Sequence, residues 1–174
     1  GNEISNSFLG VVIIGAVGLR STIQTTQNSV TAEIQNNTVA NSKFVAIQAI
    51  GGLSASNSMA EVMVSNNTVK NTGGNGIQVQ GGTAEDQRIN LGAASNNMAM
   101  GTIQGNTVQQ STGSDIAVFG GSDDTKGPVT NNLAQQTIVG NTASKVSCQD
   151  GLPTNKTECT FSNASTEQEE QASS

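Results

Sequence analysis

The sequence predicts an all-β chain wound as a coil of three short strands per turn, and three recurring phrases predict it. The first is Asn36-Asn37-Thr38-Val39, Asn66-Asn67-Thr68-Val69 and Gly105-Asn106-Thr107-Val108, with fainter copies at Gly1-Asn2-Glu3-Ile4 and Gly140-Asn141-Thr142-Ala143. Steps of 35, 30, 39 and 35 residues separate the key asparagines, the elastic period of a repeat array. Ten residues after Asn37, Asn67 and Asn106, a second phrase opens at Ile47, Ile77 and Ile116 and closes on Gly51-Gly52, Gly81-Gly82 and Gly120-Gly121. The third lies nine residues before each key asparagine: Asn28-Ser29, Ser58-Met59, Asn97-Met98 and Asn132-Leu133, running to Ile34, Val64, Ile103 and Ile138.

Taken in chain order, each phrase reads as a strand, with Asn and Gly at the corners where the backbone turns tightly. Val11-Val12-Ile13-Ile14 is the first copy of the Gly-Gly strand, arriving one residue early. In its later copies Ile77 and Val79 alternate with Gln78 and Gln80, so the aliphatics point one way and the amides the other. Stacking the turns places Val11, Ile47, Ile77 and Ile116 in one interior column and Ile4, Val39, Val69 and Val108 in another. No single turn can bury these residues alone, so the core arises only between neighbours. The asparagines from Asn2 to Asn141 form a column at a bend, each amide bonding to the next turn about 4.8 Å away.

These phrases, the Gly76-Ile77-Gln78-Val79-Gln80-Gly81-Gly82 strand and the asparagine column resemble the right-handed parallel β-helix repeat proteins of the pectin-lyase-like superfamily. The resemblance covers roughly residues 1–147 and implies a right-handed solenoid of three parallel sheets, with four to five turns. It says little about activity, because this scaffold carries pectate lyases, polygalacturonases, alginate epimerases, phage tailspikes and adhesins. Residues 148–161 read as a C-terminal cap and 162–174, with Glu167-Gln168-Glu169-Glu170, as a disordered polar tail.

Composition narrows the function classes. The 174 residues carry 11% charged side chains, a net charge of −6 and seven Lys and Arg in all, which argues against nucleic acid as a partner. No run approaches a membrane span and no signal peptide is visible. Gly1 opens in mid-turn and leaves a sheet end open, so we expect either a piece of a longer chain or a first turn covered by a partner protein. Cys148 and Cys159 enclose ten residues; in an Asn/Gly-rich, extracytoplasmic chain they suggest a disulfide worth about 2–3 kcal/mol, free thiols in a reducing compartment being the alternative. The expected location is secreted, periplasmic or cell surface.

Candidate sites lie where the repeat is interrupted or faces outward. Inserts at 16–26, 53–56, 83–95 and 122–130 leave the coil at one edge, and two are charged: Glu85, Asp86 and Arg88, then Asp123, Asp124 and Lys126. Asp86, Asp123 and Asp124 are candidate Ca²⁺ ligands, or an acid and base across a sugar bond; a solvated, self-paired loop surface is the plainer reading. Catalysis finds little support. Histidine is absent, as are the Tyr and Trp rings on which sugars stack, and no carboxylate aligns with a catalytic motif of the superfamily. Asp115 stands alone beside its strand.

The outward residues Gln48, Gln78, Gln80 and Phe119, with Arg88 nearby, form a strip that resembles the polysaccharide groove of the superfamily, and Ile50 and Phe119 offer apolar points for a protein partner. An outward column of Thr38, Thr68, Thr107 and Thr142 is flanked by Ala40, Lys70, Gln109 and Ser144, too irregular for an ice-binding face. Sequons begin at Asn36, Asn66, Asn155 and Asn163, the first two already accounted for as corners. The function expected is a non-catalytic C-terminal module, structural or binding a carbohydrate or protein partner, without a cofactor unless calcium binds. The alternative is part of a lyase or glycoside hydrolase acting on acidic polysaccharide.

Overall fold

The computed structural model describes residues 1–17, 27–83, 93–121, 129–151 and 154–162. Among them there is no helix, and every strand pairing is parallel. The first sheet joins β1 (Glu3–Ser5), β4 (Thr38–Ala40), β7 (Thr68–Thr72) and β11 (Thr107–Ser111). The second joins β2 (Val11–Ile14), β5 (Ile47–Leu53), β8 (Ile77–Thr83), β12 (Ile116–Gly121) and β15 (Val146–Gln149). The third joins β3 (Ser29–Gln35), β6 (Met59–Ser65), β10 (Met98–Gln104), β14 (Leu133–Val139) and β16 (Lys156–Ser162). A small pair, β9 (Ala94–Ser95) with β13 (Val129–Thr130), forms the last residues of two of the inserts. The chain visits the three main sheets in turn, an order compatible with a β-helix.

Register follows the columns expected from the repeat. Val11 pairs with Ile47, Ile47 with Ile77 and Ile77 with Ile116, while Ile4, Val39, Val69 and Val108 pair in series in the first sheet. The third sheet adds Ile34, Val64, Ile103 and Ile138. Ile47, Ile77, Ile103 and Ile116 are fully buried, each worth about 1.5–3 kcal/mol over an exposed position. Polar Gln136 also enters this interior, in register with Gly101 on one side and Cys159 on the other. Its Nε2 donates to the Ala99 carbonyl at 3.3 Å, and its Oε1 has no partner.

Two asparagine ladders run along the corners. In the first, Asn37, Asn67 and Asn106 each donate both backbone N–H and Nδ2 to Oδ1 of the next asparagine, at 2.9–3.0 Å, as far as Asn141. In the second, Asn97 donates in the same double fashion to Asn132, and Asn132 to Asn155. The residues just before the ladders carry the left-handed backbone: φ is 57° at Asn36, 54° at Asn66, 54° at Asn96 and 55° at Asn131.

The second ladder explains the glycine pairs. A Cβ on Gly52, Gly82 or Gly121 would collide with the amide of Asn97, Asn132 or Asn155, and one on Gly51 or Gly81 with the carbonyl of Met98 or Leu133. The second sheet turns its corner so close to the third that only glycine fits. The strands also continue past residue 147: β15 pairs with β12 and β16 with β14, so the segment read as a cap extends two sheets. Cys148 and Cys159 form a disulfide, with Cα atoms 6.5 Å apart, joining the second sheet to the third against the core.

Candidate functional site

The outward face of the second sheet is where the sequence places a groove, and the structure closes its middle. Alternation does send Gln48, Ile50, Gln78, Gln80 and Ala117 away from the core column of Ile47, Ile77 and Ile116. Yet Gln48 and Gln78 are only 9% exposed, Gln80 6%, Ile50 3% and Ala117 fully buried. Their amides are engaged: Asn75 Nδ2 donates to Gln78 Oε1 at 2.7 Å, and Gln48 Nε2 to Gln80 Oε1 at 3.5 Å. Val12 is exposed at one end of the strip, and Ile14 and Phe119 are half-buried. The expectation of an open amide strip with Ile50 as an exposed point is therefore corrected. Alternation fixes which way a side chain leaves the sheet and carries no information about what lies over it. Where β5 and β8 end toward the inserts, Ser54 Oγ and Thr83 Oγ1 are buried without a hydrogen-bond partner.

Residues 84–92 and 122–128 of the two charged inserts lie outside the described residues, and with them Asp86, Arg88, Asp123 and Asp124, as well as Glu85 and Lys126. Among the described residues no group of three or more acidic or cysteine side chains is placed to hold a metal ion. Asp115, the carboxylate beside its strand, is a corner clamp. It is buried, and its Oδ2 accepts from Ser144 N at 2.7 Å, Ser144 Oγ at 2.8 Å and Lys145 N at 3.3 Å. A carboxylate spent on three donors of the next turn holds backbone in place rather than activating a water. Asn155 is likewise committed, buried at the end of the second ladder with Nδ2 donating to the Val129 carbonyl at 3.1 Å. A glycan on that nitrogen would have to enter buried space, which the folded chain does not offer.

The accessible chemistry lies at the corner between the first and second sheets. Phe8 is 62% exposed and Phe44 50%, and their rings pack as a tilted pair with centroids 4.3 Å apart at an interplanar angle of 45°. The backbone under them is continuous, because Phe44 N donates to Phe8 O, Gly74 N to Phe44 O and Gly113 N to Gly74 O. The two rings are therefore followed along the stack by two successive glycines, where an added Cβ would meet the Phe44 carbonyl at Gly74 and the Asn75 side chain at Gly113. Alongside runs an exposed amide column, in which Asn71 Nδ2 donates to Asn41 Oδ1 at 3.2 Å and Asn41 Nδ2 to Asn6 Oδ1 at 3.3 Å. These three asparagines hold φ of 53–56°, the left-handed backbone that turns the corner. The sequence signal was available, two phenylalanines beside Asn-Ser pairs. It lies outside the strand phrases, so periodicity passes over it.

No helix among the described residues is long and apolar enough to cross a membrane. No protein-family model, curated protein or solved structure matches the chain.

Proposed function

We propose that the chain is a right-handed parallel β-helix of the pectin-lyase-like kind, secreted or at a cell surface, which binds a carbohydrate and does not turn it over. The observation that carries this is the exposed, tilted Phe8–Phe44 pair beside the exposed Asn6, Asn41 and Asn71 amides. Aromatic faces meet the C–H faces of a sugar ring while amides exchange hydrogen bonds with its hydroxyls. The right hand rests on the strong preference of parallel crossover connections. The extracytoplasmic setting rests on the disulfide. Non-catalysis is supported by a chain without histidine, whose buried Asp115 is consumed by backbone donors.

A glycan array with the whole chain tests the reading. Binding to neutral or acidic oligosaccharides is expected, weakened roughly tenfold by Phe44→Ala and by Phe8→Ala, the loss of an aromatic contact worth about 1–1.5 kcal/mol. Binding unchanged in both variants, or none on the array, defeats it. Release of unsaturated uronates or new reducing ends would instead establish a polysaccharide enzyme.

A further inference from the structure

The outward face of the third sheet carries a feature that neither the ladders nor the aromatic corner uses. The chain has four methionines, Met59, Met63, Met98 and Met100, and all four stand on this one face. Their inward neighbours on the same strands, Ala60, Val62, Val64, Ala99 and Ile103, fill the core. Within the face, β6 and β10 pair Met59 with Met98 and Glu61 with Met100, so two adjacent strands present a four-cornered cell of three thioethers and one carboxylate. Met59, Met98 and Met100 are half-buried and Glu61 is exposed. The cell is bordered by Ser29 and Thr31 on β3 and by Leu133 and Gln135 on β14, none of them cationic.

We propose that this cell binds a soft monovalent cation, Cu(I) in nature, through the sulfurs of Met59, Met98 and Met100, with Glu61 balancing its charge. In-register neighbours on parallel strands are about 4.8 Å apart and alternate residues along a strand about 6.6 Å. Three unbranched side chains rooted at such spacings are long and adaptable enough to meet above the centre of the cell. Thioether sulfur is a soft donor that selects Cu(I) over the hard cations for which carboxylates and carbonyls compete. Methionine adapts its three torsions to the metal at little cost. Parallel pairing holds the roots of the side chains fixed, so the site needs no folding step. A plain apolar docking face has less reason to set a carboxylate among its sulfurs, and a sheet exterior gains nothing from thioethers that Thr or Val would not supply. The inference is independent of the glycan reading, since the two sites lie on different sheets.

Silver(I) is the probe, added as nitrate in chloride-free buffer without reductant, so that the Cys148–Cys159 disulfide stays closed and no thiol competes. Methionine methyl NMR should show the signals of Met59, Met98 and Met100 moving together and saturating at one ion per chain, with Met63 moving less. Met59→Leu, Met98→Leu and Met100→Leu should each weaken binding about tenfold or more. Glu61→Gln should weaken it roughly fivefold, the factor a unit charge supplies at contact distance in water, and Met63→Leu should leave it within about twofold. Met→Leu conserves volume on a half-exposed face, so the variants keep the fold, which circular dichroism checks. Unmoved methyl signals at excess silver, or binding that survives the triple leucine variant, overturns the proposal. So does a loss in Met63→Leu equal to the others.

Discussion

Asparagine does two opposite jobs in this chain, and its surroundings separate them. Asn67 is buried and uses its whole carboxamide: Oδ1 accepts from Asn37 N at 2.9 Å and Asn37 Nδ2 at 3.0 Å, while Nδ2 donates to Asn106 Oδ1 at 3.0 Å and the Ile34 carbonyl at 2.8 Å. Asn71 is exposed, holds φ at 54° and donates one bond at 3.2 Å. Asn67→Ala strips partners from the buried Asn37 N–H and Ile34 carbonyl at about 1–3 kcal/mol each, so a loss of about 3–4 kcal/mol is expected. Asn71→Gly keeps the backbone conformation and gives up a solvated bond, so stability should stay within about 0.5 kcal/mol. Urea titration of the two variants checks the contrast, and equal losses would mean that the ladder is not what holds the corner. The first ladder was legible in the sequence because its asparagines sit in a repeated phrase. The second was only half legible: Asn155 belongs to it, yet reads as a glycosylation sequon because nothing near it repeats.

Strands were legible wherever hydrophobic alternation and a corner residue coincided, which is why β5, β8 and β12 fall in the register that the Gly-Gly phrase implies. β15 and β16 were not, because Val146–Gln149 and Lys156–Ser162 have neither the Asn-Thr-Val phrase nor a glycine pair. Their pairing is set by strands already in place. Cys148 continues the column of Val118 and Cys159 that of Gln136, so the disulfide ties together two elements with weak local signals. Replacing both cysteines by alanine should cost about 2–3 kcal/mol on the loop-entropy account. Hydrogen exchange should localise the effect, with amides of β15 and β16 losing protection first and those of β7 and β8 keeping theirs. Uniform loss across all sheets would show that the bond supports the whole core rather than its last two strands.

Across the molecule, stacked parallel strands make stability a matter of neighbours, since every interior residue is buried by the strands on either side of it. The buried Gln face was illegible for the same reason: a period describes one strand, and cover comes from elsewhere in the chain. Ile4, Val39, Val69 and Val108 share one column, with Val69 fully buried between two neighbours and Ile4 half-buried on β1, which among the described residues pairs with β4 alone. An aspartate at 69 has no partner for its charge and no water to solvate it, so Val69→Asp should remove about 3–5 kcal/mol and broaden or split the unfolding transition. At position 4 the same carboxylate can turn toward solvent, so Ile4→Asp should cost under about 2 kcal/mol and expose amides only near β1 and β4 to exchange. A core shared by the whole chain would respond alike to the two substitutions. Comparable losses, with exchange rising everywhere in both, would therefore reject nearest-neighbour stacking as the source of stability.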